Sequence, residues 1–99
     1  MYLMGYNVDG FEEKRIEKVQ QIPDYLSRFH SVWITVSGLA DVSTIEQLGL
    51  LFDLDRLSLE DVLDTNHRPK VEFYEHYVFT IIRGALMGEQ FESEQVSLF

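Results

Sequence analysis

Apolar positions along this chain follow two periods, and the changes between them outline the elements. Val32-Trp33-Ile34-Thr35-Val36 is β-branched and aromatic and ends at Ser37-Gly38. Such a run, closed by a turn signal, predicts a buried strand. Ile45, Leu48 and Phe52 then recur at helical spacing and predict a helix with one core-facing stripe. Ser43 with Glu46 three residues later matches a capping box at its start. Gly49 weakens that helix by about 1 kcal/mol relative to Ala, so packing must hold it. Asp53-Leu54-Asp55 breaks the pattern. A second helix is predicted from about Arg56 to Asp64, with Leu59, Val62 and Leu63 inward.

Thr65 to Arg68 reads as a loop, because the residue before Pro69 avoids the α region. Val71 to Tyr74 is a short extended stretch, and Tyr77-Val78-Phe79-Thr80-Ile81-Ile82 predicts a central strand. Gly84 and Gly88 mark a bend and a turn, and Glu94 to Leu98 begins another strand. That strand stops at Phe99 without a turn or polar cap, as expected of a cut through a larger domain.

The first third is less sharply patterned. Met1 to Gly10 specifies no element. Lys14 to Val19 fits an alternating strand or a charged helix, and a strand over Arg15 to Gln21 is the preferred reading. Pro23 opens a short helix with Tyr25, Leu26 and Phe29 on one face. The order is strand, helix, strand, helix, helix, strand, strand. It predicts an α/β class, with α+β the alternative, built on a mixed sheet with helices packed on it. Trp33 and Val78 are expected in strands of one sheet, with Leu48 and Val62 on the covering helices. Ninety-nine residues suit one domain spanning 1–99. No run approaches the roughly 20 apolar residues of a membrane span, and no secretory pattern opens the chain.

Charge changes the picture. Seventeen acidic residues against eight basic ones give a net charge of −9, which disfavours nucleic acid and anionic membrane surfaces as partners. A negative surface concentrates cations, but it also serves solubility alone, and both readings stay open. The absence of cysteine removes disulfides and thiolate metal sites.

The candidate chemistry centres on Glu60 and Asp61, adjacent carboxylates inside an apolar helical pattern. Helix neighbours point roughly 100° apart, so the two cannot chelate one small cation by themselves. Either could supply half a site for a hard cation such as Mg²⁺. Ser58-x-x-Asp61 is also a capping pattern, and taken alone the residues favour that helix-start role. Asp53, Asp55, Asp61 and Asp64 lack the glycine and terminal Glu of an EF-hand. His30, His67 and His76 are too scattered for a transition-metal site. No nucleophile elbow or phosphate loop is present, so catalytic residues are not assigned and an enzyme is not expected.

Several stretches together resemble a known family. They are Val32 to Gly38, the Ile45 to Phe52 helix with Gly49, Leu57-Ser58-Leu59-Glu60-Asp61-Val62-Leu63, Arg68-Pro69-Lys70-Val71-Glu72, Tyr77-Val78-Phe79 and Glu92 to Leu98. In this order they resemble the N-terminal cytoplasmic domain of CorA-type magnesium and cobalt transporters, over about two-thirds of the chain. Asp55-Arg56 departs from the His-Pro common in the family, which changes the cap and not the acidic pair.

The resemblance implies a part of a larger three-layer domain on the cytoplasmic side of the inner membrane. In the family a stalk helix and two membrane helices with a Gly-Met-Asn motif follow, and five chains assemble around a pore. It further implies that Mg²⁺ bridges acidic residues of neighbouring subunits to hold the channel closed, with the Leu-Glu-Asp carboxylates carried onto Glu60 and Asp61. Their partner acid would lie in another segment. Mg²⁺ is then the regulatory ion, and Co²⁺ or Zn²⁺ are further candidates for transport. The alternatives are a related zinc transporter's domain and a free-standing interaction module that pairs through a sheet edge.

Overall fold

A computed structural model describes residues 1–37, 41–86 and 92–99. The chain divides into two compact units, Met1–Asp53 and Leu54–Phe99. Helices and antiparallel strands occur together, which gives the mixed α and β class expected.

In the first unit, β1 (Tyr2–Asn7), β2 (Gly10–Arg15) and β3 (Ser31–Thr35) form a sheet in the order β2-β1-β3. The β1–β2 hairpin turns through Val8 and Asp9, with Asn7 opposite Gly10. Gly10 adopts φ +146°, a conformation that side chains resist. The strand expected over Arg15 to Gln21 is corrected. Strand pairing ends at Arg15, and Val19–Gln21 is a 3₁₀ turn. The Gln21 side chain accepts the backbone N–H groups of Glu17 and Lys18, which favours that turn over extension.

The central strand of this sheet, β1, falls where no element was predicted. Gly5 interrupts its hydrophobic pattern, and packing explains why a glycine stands there. A Cβ at Gly5 would lie 2.6 Å from the Phe29 ring. Phe29 follows α1 (Ile22–Arg28), which carries Pro23 in its first turn. Leu3, Ile16, Val19, Ile22 and Tyr25 form the core, with Val32, Ile34, Leu48, Leu51 and Phe52 packed against it. β3 is an edge strand and not a buried one, and its Trp33 is exposed.

α2 (Val42–Leu51) buries Ile45 and Gly49. Its cap is Asp41 and not Ser43. The Asp41 carboxylate accepts the Thr44 backbone N–H at 3.3 Å and the Thr44 hydroxyl at 2.9 Å. Ser43 already lies inside the helix, where its hydroxyl accepts from Gln47. Asp53 ends the segment at φ +52°, a left-handed position that Asp tolerates better than most residues.

In the second unit, α3 (Arg56–Leu63) precedes a sheet of β4 (Lys70–Phe73), β5 (Val78–Leu86) and β6 (Glu92–Leu98), in the order β4-β5-β6. Trp33 and Val78 therefore lie in separate three-stranded sheets, which corrects the one-sheet expectation. Each sheet closes its pairing locally through antiparallel neighbours. The β5 register places Lys70 opposite Ile81 and Glu72 opposite Phe79, so these four share one face. Phe79 and Ile81 are fully buried there, whereas Val71, Phe73 and Val78 of the other face are exposed. The bend expected at Gly84 is absent, since Gly84 pairs with Glu94 inside the ladder. The turns expected at Gly38 and Gly88 lie outside the described residues.

Candidate functional site

The acidic helix start is set by Asp55, whose carboxylate accepts the Leu57 N–H at 2.8 Å. The Asp55 N–H donates to the Tyr77 hydroxyl at 2.9 Å, and that hydroxyl also bonds Ser58 Oγ at 3.0 Å. Ser58 is fully buried, so the capping role read from Ser58-x-x-Asp61 is corrected. One hydroxyl from the foot of β5 holds both the cap residue and the inward face of α3. This arrangement frees Asp61 from any capping duty.

Glu60 and Asp61 meet different partners. Glu60 is 61% exposed and sits 3.8 Å from Arg56 one turn back. Such a solvated pair contributes little. Asp61 is 27% exposed and turns toward β4, where Lys70 Nζ contacts both Asp61 Oδ2 and Glu72 Oε1. Lys70 and Glu72 reach the same place because strand residues two apart share a face. The ammonium also stands 5.4 Å from the centre of the Phe79 ring. Hydrogen bonds to Asp61 first, and to Glu72 next, hold the Lys70 ammonium above its ordinary pKa of 10.5.

His67 completes the cluster. Its Nε2 lies 3.4 Å from Asp61 Oδ1, and its Nδ1 lies 2.9 Å from the Arg68 carbonyl oxygen. The loop that carries His67 is strapped from the sheet. Arg83 donates to the Thr65 carbonyl at 2.9 Å and to the His67 carbonyl at 3.2 Å. Gln95 donates to the Asp64 carbonyl at 2.9 Å and accepts the His67 N–H at 3.1 Å. These donors satisfy the carbonyls of the cap residue Asp64 and of Thr65 and His67 in the loop after α3.

Lys70, Glu72, Tyr77, Arg83 and Gln95 were not singled out from sequence as partners of the acidic pair. The alternation of Lys70 and Glu72 along a strand was the available signal. Among the described residues, no group of three or more His, Cys, Asp or Glu is arranged to hold a metal. Asp61 and Glu72 nevertheless converge as oxygen donors on one positive charge, and oxygen is the donor that Mg²⁺ prefers. Asp61 supplies a carboxylate of the kind Mg²⁺ takes, and its two oxygens face Lys70 and His67.

The fold and cluster define an acidic mixed α and β chain in which Asp61 and Glu72 meet on the Lys70 ammonium. No protein-family model matches the chain. It is 32% identical, over 97% of its length, to the cobalt/magnesium transport protein CorA of Thermotoga maritima, and it spans 28% of that protein. This likeness across nearly the whole chain supports a CorA-type fragment, as the motif resemblance implied. Among the described residues, no helix is long and apolar enough to cross a membrane.

Proposed function

We propose that this chain forms part of the regulatory N-terminal cytoplasmic domain of a CorA-type divalent-cation transporter, with both compact units belonging to that one domain. The observation that carries the reading is the likeness to a cobalt/magnesium transport protein across nearly the whole chain. In this reading the longer protein moves Mg²⁺ or Co²⁺ across the inner membrane as a homopentamer. This chain contributes to sensing Mg²⁺ between subunits.

Asp61 is the principal ligand in the proposal, with Glu60 beside it. Asp61 sits on a short helix anchored at its start by Tyr77 and at its end by Gln95, so its position is defined before any ion arrives. It keeps enough exposure to meet a ligand from another subunit. A hard cation there would take one or two carboxylates and retain several waters. Alone, with half the ligands, the chain should bind Mg²⁺ in the millimolar range or more weakly, roughly −4 kcal/mol.

The test uses the intact transporter. Mg²⁺ should protect the wild-type protein from proteolysis, and Asp61→Ala should reduce that protection while leaving the fold intact. Equal protection in both proteins would remove Asp61 from the sensing role.

A further inference from the structure

We infer that Lys70 is a built-in counter-cation that sets how much Mg²⁺ is needed to engage Asp61. This inference rests on the reading of Asp61 as a divalent-cation ligand. The Lys70 ammonium contacts Asp61 and Glu72 together and faces the Phe79 ring, so it occupies the position between the two carboxylates. His67 approaches the other Asp61 oxygen. The groups facing the Asp61 carboxylate are therefore a lysine from β4 and a histidine from the loop before it, with Glu72 behind the lysine.

A divalent ion arriving at Asp61 meets a positive charge already bound there. It must displace the ammonium or share the carboxylate with it, and either route opposes binding. Without the ammonium, Asp61 and Glu72 would be neighbouring carboxylates with no charge between them, and that repulsion favours a cation. A lysine suits the role because its ammonium is a compact charge on a flexible stem. It can swing out when a doubly charged ion competes, and it returns when the ion leaves. Lys70 thus acts through Asp61 as a positioning residue and fixes the concentration at which the site responds.

The experiment is a MgCl₂ titration of the 99-residue chain at constant ionic strength, read by NMR at the Asp61 amide and carboxylate. Lys70→Met should tighten Mg²⁺ binding by about tenfold, the effect of removing one unit charge a few ångströms from a divalent ion in a partly solvated setting. Lys70→Arg, which keeps the charge, should stay near wild type. Lys70→Gln, which removes the charge but keeps a polar end, should reproduce the Lys70→Met gain. A purely structural lysine would give lower thermal stability in Lys70→Met and Lys70→Gln with no gain in affinity, and that result would overturn the inference while leaving the reading of Asp61 standing. Asp61→Asn distinguishes the two levels. If it leaves wild-type Mg²⁺ affinity unchanged, the reading of Asp61 itself fails, and the role of Lys70 fails with it.

Discussion

The two compact units are held together by different physics. Met1–Asp53 buries six apolar side chains among the described residues, from Leu3 to Ile45, and uses polar groups at its margins as caps and hairpin ties. Among the described residues, Leu54–Phe99 buries only Val62, Phe79 and Ile81 to the same degree, together with the side chain of Ser58. Its connections run through side-chain hydrogen bonds and charges, from Tyr77 at one end of α3 to Gln95 and Arg83 at the other. Apolar burial is non-directional and offers a cation no ligand. A polar cluster can respond to a cation. The candidate site lies in the unit built the second way.

Substitutions separate the two modes, and the largest effect belongs to the apolar core. Leu3→Ala should destabilise the chain by about 3 kcal/mol through lost burial and a residual cavity. Urea unfolding at fixed pH measures it, and a loss below about 1 kcal/mol would show that the Leu3 cluster does not carry the first unit. Tyr77→Phe should cost about 1–2 kcal/mol, because it leaves the buried Ser58 hydroxyl and the Asp55 N–H short of a partner. Hydrogen exchange should then speed up along α3 and stay unchanged along β1. An equal change in both units would dissolve the contrast.

The pH dependence is smaller and has a definite sign. The Lys70 pKa is raised in the folded chain by hydrogen bonds to Asp61 and Glu72. The folded state therefore holds the proton more tightly than the unfolded one. That contribution is fully present below the ordinary value of 10.5 and is lost as pH rises through the raised value. Denaturation midpoints should fall above about pH 10.5 more steeply in wild type than in Lys70→Met. Identical slopes would mean that the lysine's pairing does not favour folding. The smallest effect should be that of Arg56→Ala. Its side chain is 92% exposed, and the change should fall within about 0.5 kcal/mol.

Much of the second unit was legible because its periods are clean. The helix from Arg56 and the central strand from Val78 follow directly from apolar spacing. The caps misled for a shared reason. Ser43 and Ser58 have good capping chemistry, but an aspartate lies just upstream of each, and Asp41 and Asp55 take the caps. Ser58 then falls on the same helical face as Val62, four residues on, and is buried there. β1 was missed because Gly5 carries no side chain to mark the pattern, although the glycine is required by the Phe29 ring above it. Asp61 was legible as a candidate. Its partners were not, because Lys70 and Glu72 reach it only when β4 pairs with β5 beneath α3.

The most direct measurement is an amide-resolved NMR titration of the 99-residue chain with MgCl₂, in wild type and Asp61→Asn. Ion binding at Asp61 predicts shifts concentrated on α3, His67 and β4, and their loss in the variant. Shifts spread over the acidic residues of Met1–Asp53, or unchanged in Asp61→Asn, would contradict it.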